Sequence, residues 1–250
     1  MTLLKALYRN EMEKLFYRKK YIVFLVLDVL ICLLTAVGQI LAEIVTQGAF
    51  RTMGFFDDML LNGFSLYLTF FIPLIALMGC ADLFSGEVHD RSLRMLLQRP
   101  VERWKLFLSK VMAVFSLCFI YILLHFVILF VVKLGFGQTV AGTLYGLAAY
   151  LLDLIPVFVV VTFFALIHQT VHSSGSAVAL SLVGYLLLWA VSRYADIGNG
   201  LLFVDYICWH SIWLGNTLPI TVLLPKIGIL LGSGVVLYCA GFELFDRKEL

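Results

Sequence analysis

The residues able to do chemistry in this chain are few, and most are stranded in apolar surroundings. Asp28, His125, Asp153 and Lys226 each sit inside a long hydrophobic block. Ionisable groups in such places are costly, and they mark either a polar path or a compensating partner. At 1.5 Å per helical residue, Asp28 lies about 10 Å from one face of a bilayer, and the other three lie roughly 10–15 Å from the opposite face. That placement allows an Asp153–Lys226 pair across helices with His125 nearby. It leaves Asp28 without a basic partner at its own depth. Two readings of the set stay open: the lining of a transport path, or a structural polar cluster that fixes helix register.

Bond chemistry needs tighter constellations. The chain has no HExxH and no GxSxG, the spacings that place a metal-bound water or a nucleophilic serine. His168 and His172 are four apart and share a helix face, but no third ligand accompanies them. His89, His125 and His210 do not pair with glutamates at metal-ligand spacing. The five cysteines (Cys32, Cys80, Cys118, Cys208, Cys239) form no CxxC and lie mostly in apolar blocks, where a thiol behaves as a small hydrophobe. There is no GxxxxGK[ST], hence no backbone cradle for a nucleotide phosphate. The expectation is no catalytic residue, no metal and no cofactor bound by this chain.

The elements that carry these residues are membrane helices. The 250 residues are 62% hydrophobic and 14% charged, against about 45–50% and about 25% in ordinary soluble domains. Apolar blocks near 21–45, 59–84, 105–133, 143–169, 175–195 and 219–243 are each long enough for a helix to cross about 30 Å of hydrocarbon. The alternating ten-residue segments of a β-barrel are absent. The fold class is therefore all-α integral membrane, one transmembrane unit over 1–250. Residues 1–20 read as an interfacial amphipathic helix: Leu4, Leu7, Tyr8, Met12, Leu15 and Phe16 recur at three and four, with basic residues between them. No cleavable leader pattern precedes the first span. Residues 196–218, with turn signals at both ends and Trp209 and Trp213 four apart, read as a short interfacial segment on the outer side.

Orientation follows the basic residues. Six of the eighteen lie in the N-terminal segment, six between Arg91 and Lys110, and two in the tail. Both termini and the loop between spans two and three are thus expected in the cytoplasm.

That loop, residues 85–104, begins the run "SGEVHDRSLRMLLQRPVERWKLFLSK" from Ser85 to Lys110. Read as a helix it carries a stripe of Val88, Met95, Leu93, Leu96 and Leu97, and Pro100 ends it by biasing Arg99 away from helical backbone. Too short for a core, the stripe must lie on the membrane or dock in a groove. The run resembles the first cytoplasmic loop of ABC-2 type transporter permeases, of the kind that exports bacitracin-like or lantibiotic compounds. The residues that carry the resemblance are Gly86, Glu87, Leu93, Arg94, Leu96, Leu97, Arg99, Pro100, Arg103 and Lys110; Arg91 stands where the family often has glycine. The wider plan also agrees: an N-terminal amphipathic helix, six spans, an interfacial element before the last, and a short charged tail.

The resemblance implies a coupling helix gripped by a separate ABC ATPase, with ATP and magnesium held on that partner. Glu87, Arg91, Leu93, Arg94, Leu96, Leu97, Arg99, Pro100 and Arg103 would face it. It further implies a dimer with itself or a sister permease, lipid around it, no nucleic acid, and the bacterial cytoplasmic membrane as its place. The expected function is the transmembrane subunit of an ATP-driven exporter of a hydrophobic or amphipathic compound. The alternatives are a membrane scaffold or sensor subunit and, more remotely, an intramembrane hydrolase.

Overall fold

The computed structural model describes residues 3–45, 64–90, 101–135, 147–148, 150–171, 173–194, 200–213 and 219–247. All regular structure among them is helical. Six helices are long and apolar enough to cross a membrane: Lys19–Gly38, Phe64–Gly86, Arg103–Val132, Tyr150–Thr170, Ser174–Tyr194 and Ile220–Asp246. They match the six apolar blocks to within about five residues, except at the end of span one, where the helix itself continues to Val45, and at the start of span four, where the block begins among residues outside those described.

Helix α1 (Leu3–Phe16) is the amphipathic N-terminal helix. Its stripe is turned onto protein: Leu15 is buried, and Leu7, Tyr8 and Met12 pack against the core. Tyr8 donates to Ser116 Oγ in span three at 2.8 Å. The chain turns at Tyr17–Arg18 and continues as α2 (Lys19–Val45), which contains span one.

Span two, α3 (Phe64–Gly86), runs on through Glu87–His89 and contains two π-helical turns, Tyr67–Phe71 and Ala81–Gly86. A π turn adds a residue to the helical turn and is favoured where a side chain must be re-aimed. Gly86 closes the second one, where a Cβ would sit 3.0 Å from the Ala81 carbonyl oxygen. Helix α4 (Arg103–Gly135) is span three, α5 (Leu154–Thr170) forms most of span four, and α6 (Ser174–Tyr194) is span five. A 3-10 turn at Phe203–Tyr206 and the short α7 (His210–Trp213) precede α8 (Ile220–Asp246), span six.

Spans two and four form the centre, and spans one, five and six show apolar side chains outward. Hydrocarbon is as apolar as leucine, so exposed faces cost nothing there and helix association depends on close packing. Small residues supply it. A Cβ on Gly79 would meet Val114 at 3.0 Å, one on Gly234 would meet Val159 at 3.1 Å, and one on Gly241 would meet Phe107 at 3.2 Å. The GxxxG pair Gly228 and Gly232, which the sequence suggests for packing within the chain, meets nothing within 4 Å among the described residues; the approach has shifted toward the other end of span six. Pro156 falls in the first turn of α5, where its missing N–H has no helical partner to lose. Phe107 is ringed by Phe84, Tyr238, Phe242 and Phe245. That cluster joins the first turns of span three to the last turns of spans two and six.

Candidate functional site

The first-loop end of the bundle is built around four buried or half-buried charges. Glu87, the first residue after span two, receives Lys14 Nζ at 2.8 Å on one carboxylate oxygen and Lys110 Nζ at 2.7 Å on the other. Glu11 receives the same two amines, Lys14 at 2.8 Å and Lys110 at 3.2 Å. Glu11 and Lys110 are fully buried. Such a cluster survives out of water only because its charges cancel and every oxygen is met by a donor. It ties α1, the exit of span two and the entry of span three into one unit.

Glu87 lies outside the membrane-spanning segments. Burial alone would raise its carboxyl, but Lys110 and Lys14 outweigh that and hold it below the ordinary carboxylate value. Burial would lower Lys14, but Glu11 and Glu87 outweigh that and raise it. The Glu87 contribution is therefore present above the ordinary carboxylate value and lost as pH falls through its depressed pKa. The Lys14 contribution is present below the ordinary amine value and lost as pH rises through its raised pKa. The Glu87 and Lys14 contributions are both undiminished between the ordinary values of 4.5 and 10.5. Protection of α1 against added protease should be flat across that window and fall only beyond its ends.

Arg103, at the other end of the loop, is anchored too. Its guanidinium donates to the Asp246 carbonyl and approaches the Asp246 carboxylate at 4.0 Å, at the end of span six. Arg91, Leu93, Arg94, Leu96, Leu97, Arg99 and Pro100 lie outside the described residues.

Asp82 forms a second tie on the Ala81–Gly86 π turn. Its buried carboxylate accepts from Arg18 at 2.9 Å, Lys20 at 2.7 Å and Tyr21 at 2.6 Å. These donors come from the turn between α1 and α2 and the first residues of span one.

Within the membrane the polar residues sort differently from the expectation. Asp28 does have a partner: His125 Nδ1 lies 2.9 Å from its Oδ1, and Cys32 Sγ lies 3.2 Å from the same ring nitrogen. Span three is long, and counting inward from its outer end put His125 too near the far face. Asp153 does not pair with Lys226. One of its oxygens accepts the backbone N–H of His210 at 2.7 Å and the other meets the His210 ring Nδ1. The ring is a closer and less hydrated partner than a lysine ammonium. Lys226 instead lines a cavity of about 500 Å³ at the far end of the bundle, with Arg193, Ser192 and Asp205.

A family model described as "ABC-2 family transporter protein" matches residues 5–250. The chain belongs to the ABC-2 transporter family. No curated protein matches it closely. As an ABC-2 family protein it is a multi-pass transmembrane subunit of an ABC transporter, and proteins of this family work with ABC ATPase partners. The family is a transport component and not itself a catalyst.

Several residues that organise this ABC-2 chain were not singled out by pattern. Asp82 is an acidic residue in an apolar span, with Arg18 and Lys20 at the mouth of span one; the rule that intramembrane carboxylates need named partners points to it. Lys14 reads from sequence as part of the polar face of an amphipathic helix, and neither its spacing nor that of Glu11 hints that a second acid and base meet them from 73 and 99 residues away. Cys32 and His210 become visible only once the helices are packed.

Proposed function

We propose that this chain is the membrane half of an ATP-driven exporter, moved through its first loop by a separate ATPase. The observation that carries this reading is the double anchorage of the loop. Glu87 at its start is tied to α1 and span three, and Arg103 at its end is tied to span six. A force applied between those anchors reaches spans two, three and six directly, and span one through α1. A plain connector would need no such root. The leucine stripe of residues 93–97 would sit in the ATPase groove, and ATP and magnesium would be held there. Two such chains, or this chain with a sister permease, would enclose the path of a hydrophobic or amphipathic cargo in the bacterial cytoplasmic membrane, with both termini inside.

The test is co-purification of the cognate ATPase in mild detergent with native chain and with Leu96→Asp. The expected result is retention by the native chain and at least tenfold less ATPase on the variant, with unchanged insertion. Equal retention by both removes Leu96 from the groove. Absence of any ATPase on the native chain overturns the coupled-exporter reading.

A further inference from the structure

We propose that Asp28, Cys32 and His125 hold one divalent transition-metal ion of the zinc class between spans one and three. Asp28 and Cys32 are one helical turn apart on α2 and present their side chains to one face. His125 reaches them from α4 with Nδ1, 2.9 Å from Asp28 Oδ1 and 3.2 Å from Cys32 Sγ, while Cys32 Sγ and Asp28 Oδ1 are 3.9 Å apart. These separations suit three ligands around one ion at the usual bond lengths of about 2.0–2.3 Å, with a fourth position left open. A carboxylate oxygen, a sulfur and an imidazole nitrogen form a donor set that favours zinc-like ions over calcium or magnesium.

The site is closed to the surface. Asp28 and Cys32 are fully buried and His125 is 2% exposed. Asp28 Oδ2 and His125 Nε2 have no hydrogen-bond partner among the described residues. Tyr67 stacks on the His125 ring at 3.8 Å between centroids and holds its orientation. A buried carboxylate with one oxygen unmet is expensive. A doubly charged cation changes the balance. Coordination deprotonates the Cys32 thiol, so one thiolate, one carboxylate and a neutral imidazole carry two negative charges against two positive ones. The site is then neutral as a whole, which is the condition a low-dielectric interior imposes. The ion would pin span one to span three within the apolar part of both helices, apart from the charges of the first-loop root.

The experiment uses the full chain purified in detergent without chelator. Elemental analysis should find about one zinc-class ion per chain. Metal-free protein titrated with cobalt(II) should develop a thiolate-to-cobalt charge-transfer band that saturates near one equivalent and is bleached by zinc. Cys32→Ser should abolish that band, and His125→Gln should weaken cobalt binding at least tenfold. Cys118→Ser, at a buried thiol elsewhere, should leave both unchanged. Native chain that elutes as a well-folded species yet carries no metal and gives no cobalt band overturns the proposal without any variant. Persistence of the band in Cys32→Ser also overturns it.

Discussion

Lys110→Met should cost about 3–5 kcal/mol, the usual penalty for stripping one partner from a buried ion pair. Lys110 is fully buried and bonds both Glu11 and Glu87. Without it two buried carboxylates lose the fully buried cation between them and keep Lys14, whose side chain is 34% exposed. Thermal unfolding in detergent reads the loss, and protease sensitivity of α1 shows where it falls. The pair Glu87→Gln with Lys110→Met removes one charge of each sign, so it should cost clearly less than the sum of the single changes. Full additivity would mean that the two groups do not act together. If the proposed coupling holds, Lys110→Met should also depress ATPase stimulation more than it depresses ATPase binding, because the groove residues are untouched.

Asp153→Ala should release the segment before span six. Both Asp153 oxygens are committed to His210, one to its backbone N–H and one to its ring. Removing the acceptor strands a buried N–H and a buried imidazole at once, a loss of about 3–6 kcal/mol given about 1.5–3 for each hydrogen bond to a charged group. Hydrogen exchange should rise across residues 203–213 and stay native in α1. His210→Phe keeps the ring's bulk and the backbone bond, so it should cost about half as much. Lys226→Met should leave the segment unprotected no further than in the native chain. Loosening in Lys226→Met as large as in Asp153→Ala, beyond the cavity that Lys226 shares with Asp205, would restore the Asp153–Lys226 pairing that the structure replaces.

The broad plan of the fold was legible in composition, because membranes reduce helix prediction to runs of about twenty apolar residues. The amphipathic stripe of α1 was legible as well, from Leu4 to Leu15; its landing place was not. A stripe looks the same whether it faces lipid or a neighbouring helix, and here Tyr8 and Leu15 settle on span three and the core. The partners of the intramembrane charges were the least legible part. Depth counting treats helices as upright rods of known start, and an error of two turns moves a residue by about 11 Å. That is enough to separate Asp28 from His125 on paper and to bring Asp153 and Lys226 together. From sequence His210 stands only as a candidate metal ligand and not as a partner for Asp153, because it lies outside every apolar block, in a segment that folds back against span four.

The Asp82 tie bears on how such a chain is made. Arg18, Lys20 and Tyr21 all precede Asp82 in the chain, so its counter-charges already exist when the ribosome delivers span two to the insertion machinery. The carboxylate never has to wait for a later segment to become tolerable. Glu87 is placed between the two situations, with Lys14 made before it and Lys110 made 23 residues after it. Biogenesis can thus dock span two on the nascent N-terminus first, and lock it when span three arrives.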